Sequence, residues 1–200
     1  MTQITTRHFL VLFGAPAVGK DTATKVLEER GDHFKHFIKH KVGFASKHGY
    51  TMITSSELAE YELAGRVVSK VERYGSIYLV DRLRLKAAIA GRRIPVIHSA
   101  SIDEIRTLVA IGGIVLVLEC SRDTAVQRLV ARDRNTVAQR LEVWDAVVAR
   151  LPDAKEIAIG AVSTDETNPE DTATIIERLF HSRLTYKENH IAAPSTLERG

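Results

Sequence analysis

Seven consecutive residues have the types and spacing to hold a phosphate: Gly14–Ala15–Pro16–Ala17–Val18–Gly19–Lys20. Two glycines let the backbone turn tightly, so that successive N–H groups point at one anion. Lys20 is placed to reach the outer phosphates of a nucleotide. The next segment, Thr22 to Arg30, has a helical pattern, and its N-terminus adds a positive partial charge. The apolar run Leu10–Val11–Leu12–Phe13 comes just before the loop. Strand, glycine loop and helix in that order make a phosphate-binding unit. The alternative is a glycine-rich turn with a surface lysine.

One position departs from the usual pattern. A Ser or Thr normally follows Gly–Lys and offers its hydroxyl to Mg²⁺. Here Asp21 stands there, with Thr22 after it. A carboxylate beside a triphosphate is repelled unless a cation lies between them. Asp21 is therefore expected to act through Mg²⁺ or its waters, or to turn back and cap the helix. Thr22 can supply the missing hydroxyl.

Arginines form the second chemical group. Arg128 and Arg132 are four apart on one predicted helix face, and Arg140 follows on the next helix after the charged loop 132–137. Guanidinium groups stabilise charge spread over a phosphoryl group in transfer, so the three are expected to form a short lid. A third group is basic. From His33 to Ser56 there is no acidic residue, while Lys35, Lys39, Lys41 and Lys47 lie among four histidines. After a phosphate loop, this run points to an anion site.

These residues need a scaffold. Apolar runs at 8–13, 94–98 and 114–119 read as buried parallel strands, and 156–162 as a fourth. Tyr50 to Thr54 reads as a short strand. Helices are expected at 21–30, 57–64 (capped by Ser55 or Ser56), 78–90, 123–131, 137–150 and 169–181. A further helix opens on the capping box Ser101–Ile102–Asp103–Glu104. Strands alternating with helices imply a parallel sheet covered on both faces, with ligands at the carboxyl ends of its strands. Gly14, His98 and Cys120 fall there. One domain over 1–182 is expected, with an insertion near 33–76 and an unordered tail at 183–200.

The chain has 200 residues and one cysteine, Cys120, so an internal disulfide is excluded and a reducing cytoplasm fits. No apolar run reaches membrane-spanning length, and no signal-peptide core precedes the first strand. A net charge of +3 is too small to imply nucleic acid.

With these residues in view, the chain resembles the guanylate kinase family of nucleoside-monophosphate kinases, from about Phe9 to Leu179. The resemblance rests on the loop, on Tyr50 ahead of Glu57–Leu58, on the turn Tyr74–Gly75–Ser76, and on Arg128-x-x-x-Arg132 followed by Arg140–Leu141. It implies a three-layer α/β/α P-loop fold, ATP and Mg²⁺. It also implies an acceptor site drawing on Lys39, Lys41, Tyr50, Tyr74, Ser76 and His98. The family reads guanine with acids, and the positions implied for them hold Ser69, His98 and Ala100. Gly–Lys–Asp resembles ribose 1,5-bisphosphate phosphokinase and some viral deoxynucleotide kinases. The expected activity is therefore ATP-dependent transfer to a small phosphate-bearing acceptor, a sugar phosphate or a nucleotide other than GMP, by a monomer or homodimer. A hydroxyl acceptor would want a base, with Asp81 or His98 as candidates. The rivals are a true GMP or dGMP kinase, a non-catalytic guanylate-kinase-like interaction module, and a nucleic-acid-binding protein.

Overall fold

A run such as Phe9–Leu10–Val11–Leu12–Phe13, apolar at every position, suits only a strand covered on both faces. In the computed structural model, which describes residues 8–31, 33–44 and 49–191, that run is β1 (Phe9–Phe13) and all five residues are buried. It lies at the centre of a five-stranded parallel sheet. β7 (Ile94–Ser99) and then β2 (Phe34–His36) lie on one side; β8 (Gly113–Glu119) and then β9 (Ala161–Ser163) lie on the other. The register sets Phe13 beside Ser99 and Val117, so the carboxyl ends of three strands meet where the glycine loop begins. Helices α1 (Lys20–Glu29), α4 (Ile102–Ala110), α5 (Arg122–Arg132) and α8 (Pro169–Ile191) are among those that cover the sheet.

A second sheet of four strands stands apart from the first. It runs β4 (Tyr50–Met52), β3 (Lys39–Val42), β6 (Ser76–Asp81), β5 (Val67–Arg73), with its own small core of Val42, Ile53, Leu58 and Leu79. β5 and β6 are joined by the two-residue turn Tyr74–Gly75, both at positive φ (54° and 63°). A tight hairpin of this kind needs left-handed residues to match the strand twist. Helix α2 (Ser55–Leu63) packs here. Its cap is Thr54, one residue ahead of the expected serines, and Glu57 returns the bond to complete a capping box.

Three expectations need correcting. The stretch 78–90 is not one helix: β6 runs to Asp81, whose carboxylate accepts from Leu83 N–H and opens α3 (Arg82–Ala90). The apolar run Ile77–Val80 fits either structure by periodicity, and pairing with β3 and β5 decides for strand. The stretch 156–162 begins as helix α7 (Leu151–Ile157), and only Ala161–Ser163 is strand. The last helix does not stop at His181. It continues through the expected domain boundary to Ile191, while 192–200 lie outside the described residues, as do Lys47 and His48. Among the described residues, no helix is long and apolar enough to cross a membrane.

Candidate active site

The glycine loop closes against the sheet because its first residue has no side chain. A Cβ on Gly14 would lie 2.4 Å from the Leu118 carbonyl oxygen, and Gly14 N–H donates to Ser99 O at 3.1 Å. At the far end Gly19, at φ 96°, turns the chain into α1. No side chain caps α1, so its first N–H groups remain for a ligand. Asp21 is thus not a helix cap. Lys20 folds back over the loop, its ammonium donating to Gly14 O (2.7 Å) and Ala15 O (2.9 Å). Burial lowers its pKa to about 8. An ammonium tied only to carbonyls, beside uncapped N–H groups, is arranged to receive phosphate oxygens.

Asp21 points elsewhere. One carboxylate oxygen is 3.4 Å from His98 Nδ1 and the other 3.4 Å from Arg132. The hydrogen bond from His98 holds its carboxyl well below the usual carboxylate range. His98 Nε2 meets Thr24 Oγ1 at 2.7 Å, and its ring stacks on His36 at 4.3 Å. Burial pushes the His98 imidazole down to about 4, so it is neutral near pH 7. Both ring nitrogens are engaged, which leaves none to take a substrate proton. The other base candidate, Asp81, is fully buried, caps α3 and pairs with Arg66. Neither stands as a free base.

Beside the loop opens a cavity of about 520 Å³ between the two sheets. Lys20, Asp21, Lys39, Tyr50, Tyr74 and His98 line it. Arg132 and Arg140 reach it as well. The guanidinium of Arg140 lies 5.8 Å from the Tyr74 ring and donates to Thr136 Oγ1 at 3.2 Å. Arg128 does not join them. Its guanidinium donates to Ala17 O (3.2 Å), Thr164 Oγ1 (2.9 Å) and Thr164 O (2.9 Å), bracing the loop from behind. Of the three arginines expected to form a lid, Arg132 and Arg140 reach the cavity and Arg128 braces the glycine loop. The loop between them is short, a 3₁₀ turn Arg134–Thr136 capped by Asp133.

The basic run does not make one anion site. Lys39 is buried and pairs with Glu104 at 2.6 Å. Lys35 pairs with Glu28 outside the cavity, and Lys41 lies between the rings of Tyr50 and Tyr78. Lys41 and Ser76 do not line the cavity; Ser76 is buried beside Gly43 at the hairpin. Thr22 lines a separate cavity on the other side of the loop, with Arg128, Arg132 and Thr164.

Glu104 and Arg73 are among the cavity residues that sequence reading missed. Glu104 looked like half of a capping box. Ser101 does accept from Glu104 N–H (3.4 Å), but the Glu104 carboxylate turns inward to Lys39, Ser69 (2.9 Å) and Ser99 (2.7 Å). Burial raises its pKa, and the Lys39 ammonium with the two hydroxyls outweighs that, leaving it below the usual value. Arg73 looked like part of a turn; it ends β5 and donates to Ala100 O at 3.1 Å across the cavity. The signal for both was positional: each begins or ends an element that faces the loop.

No protein-family model and no curated protein matches the sequence. Solved structures do. Guanylate kinase from Anaplasma phagocytophilum superposes with a TM-score of 0.63 at 16% identity, covering 88% of this chain and 85% of that one. The chain has a guanylate kinase-like P-loop kinase fold. Shikimate kinase from Acinetobacter baumannii, in complex with shikimate, aligns at a TM-score of 0.47 and 17% identity over 90% of this chain and 95% of that one. The small sheet, the loop and the helix pair α5–α6 (Val137–Val148) all contribute residues to the 520 Å³ cavity.

Proposed function

We propose that this chain passes the γ-phosphoryl group of ATP to a small phosphate-bearing acceptor other than GMP. The observation that carries the reading is Lys20, folded over the Gly14 and Ala15 carbonyls beside the uncapped N-terminus of α1 and facing the cavity. The loop N–H groups and Lys20 would hold the donor phosphates. Arg132 and Arg140, from the two helices at the cavity mouth, would close on the transferred group.

Mg²⁺ fits the residues present. Among the described residues no three carboxylates, histidines or cysteines are grouped to cage a metal, so the protein would offer Asp21 and Thr22 and leave the other positions to phosphate and water. When bound, the ion supplies charge neutralisation between the phosphates. The Arg132 and His98 contacts keep Asp21 ionised beside the loop for that purpose.

A phosphate acceptor is already anionic near pH 7 and needs no base, which agrees with the engaged state of His98 and Asp81. Guanine is poorly served. Its N–H donors want carboxylates, and Ser69 and His98 are bonded elsewhere while Glu104 is spent on Lys39, Ser69 and Ser99. Each unpaired buried donor costs roughly 1–3 kcal/mol. The second reading is a true GMP kinase, and Glu104 is what favours it, a carboxylate at the acceptor wall. The intact loop speaks against a non-catalytic interaction module.

Steady-state assays with GMP, dGMP, other nucleoside monophosphates and ribose phosphates test the reading. A ribose phosphate or a non-guanine nucleotide is expected to give the highest kcat/KM. GMP better than the rest by tenfold or more would make this a GMP kinase with an altered base pocket.

A further inference from the structure

Two stretches of the sequence lack any acidic residue: 33–56 and 82–102. The fold brings them together on the outer side of β2, away from the glycine loop. There they form a second cavity of about 440 Å³, within the size range of small-molecule sites. Every residue lining it comes from one of those two stretches, so among the described residues no carboxylate faces it. Four cations do: Lys35, Arg84, Arg92 and Arg93. Its floor is apolar, with buried Phe37 and Pro95 and half-buried Ile38 and Ala88.

The local charges can be followed one by one. Lys35 is 3.0 Å from Glu28, which offsets one cation. Arg84 donates to Thr51 Oγ1 at 3.1 Å and lies 3.3 Å from His40 Nε2, both uncharged partners when His40 is neutral; burial lowers the His40 pKa and favours that state. The C-terminal end of α3 faces the cavity, and its carbonyl dipole opposes an anion. Arg92, next after Gly91, sets a full positive charge at that end. With Arg84 and Arg92 the balance is positive over an apolar floor. Guanidinium groups suit phosphate oxygens, and the floor suits the body that carries them.

The two cavities share a wall. His36 and Phe37 line both of them. On the catalytic side the His36 ring stacks on His98, which holds Asp21 next to Lys20. A ligand that shifts β2 from outside therefore moves the ring that supports this group.

We propose that the outer cavity is a second anion site, taking a phosphate-bearing small molecule of about nucleotide size as an effector of the catalytic cavity. Its effector role rests on the phosphoryl-transfer reading above; its binding of phosphate does not.

The test is a titration of the ¹⁵N-labelled full chain with pyrophosphate, followed at two sets of amides. Gly14 and Gly19 report the loop, and Ile38 and Arg92 report the outer cavity. Saturable shifts are expected at both, with separate midpoints. Arg92→Glu is expected to weaken the outer midpoint tenfold or more, read at Ile38, and to move the loop midpoint by no more than the coupling between the two sites. Filling the loop with a non-hydrolysable ATP analogue is expected to move the outer midpoint threefold or more, since coupling between sites is reciprocal. No saturable shift at Ile38 and Arg92, or the same Ile38 midpoint in Arg92→Glu, would overturn the site. So would displacement of pyrophosphate by a short single-stranded oligonucleotide with steep salt dependence, which marks a nucleic-acid face. An outer midpoint indifferent to the ATP analogue would overturn the effector role. If Gly14 and Gly19 ignore the analogue, the phosphoryl-transfer reading fails, while the shifts with pyrophosphate still decide the outer site.

Discussion

The loop side and the acceptor side of the cavity are built in opposite ways. The loop side is seven contiguous residues between a strand and a helix, and its cation, Lys20, is held only by neutral carbonyls. The acceptor side draws on β3, β5, α4 and the loops near them, and its buried cation, Lys39, already has a carboxylate partner in Glu104. One side is arranged to receive charge from a ligand. The other has settled its charge internally and offers tyrosines, Arg73 and a neutralised pair. On the proposed reading, the contrast teaches that donor binding would rest on unsatisfied positive charge, and acceptor choice on shape and on what the neutral pair leaves unspent.

The largest expected effect breaks the acceptor side. Glu104→Ala leaves the Lys39 ammonium buried without a counter-charge, which is expected to destabilise the fold by about 3–5 kcal/mol. Urea unfolding measures it. Lys39→Met combined with Glu104→Ala should recover most of the loss, because the uncompensated charge is gone. A single variant as stable as wild type would show that the pair is not a closed unit.

The arginines sharpen the contrast next. Arg132→Ala and Arg140→Ala are each expected to lower kcat by about 10²-fold, roughly 2.7 kcal/mol, with little change in KM for ATP. Arg128→Ala should behave differently, raising KM for ATP and lowering Tm, since it braces Ala17 and Thr164. Equal kinetic profiles for all three would return Arg128 to the lid.

The smallest effect concerns His98. Its folded pKa, about 4, lies below the ordinary histidine value of about 6.5. Between those values the unfolded chain binds the proton and the folded chain does not, so stability falls as pH drops from 6.5 towards 4. The buried position discounts little, and a loss of about 2 kcal/mol is expected between pH 6.5 and 4.5. His36 and His40, also lowered by burial, add to it in the same direction. His98→Gln should flatten part of that slope in chemical unfolding run at both pH values. An unchanged slope would mean that His98 is protonated in the fold.

The same contrast explains what the sequence could reveal. Gly14, Gly19 and Lys20 are legible because their roles follow from neighbours in the chain, and the buried runs of β1 and β8 follow from composition alone. Asp21 was legible as an anomaly, but its partners His98 and Arg132 are remote in sequence. Glu104 was hidden because a capping box accounts for it locally, while Lys39 and Ser69, which claim it, lie 65 and 35 residues away. The strand at 76–81 was hidden because an apolar run of that length has no period of its own until β3 and β5 pair with it.

The central claim is that the Gly14–Lys20 loop holds the donor for phosphoryl transfer. The most direct measurement follows label from [γ-³²P]ATP into a mixture of nucleoside monophosphates and ribose phosphates, for the wild type and for Lys20→Ala shown to be folded by circular dichroism. The expected result is labelled acceptor with wild type, and a rate lower on the order of 10²–10³-fold with the variant, the cost of removing one charge-stabilising donor. Near-normal transfer by folded Lys20→Ala would contradict it.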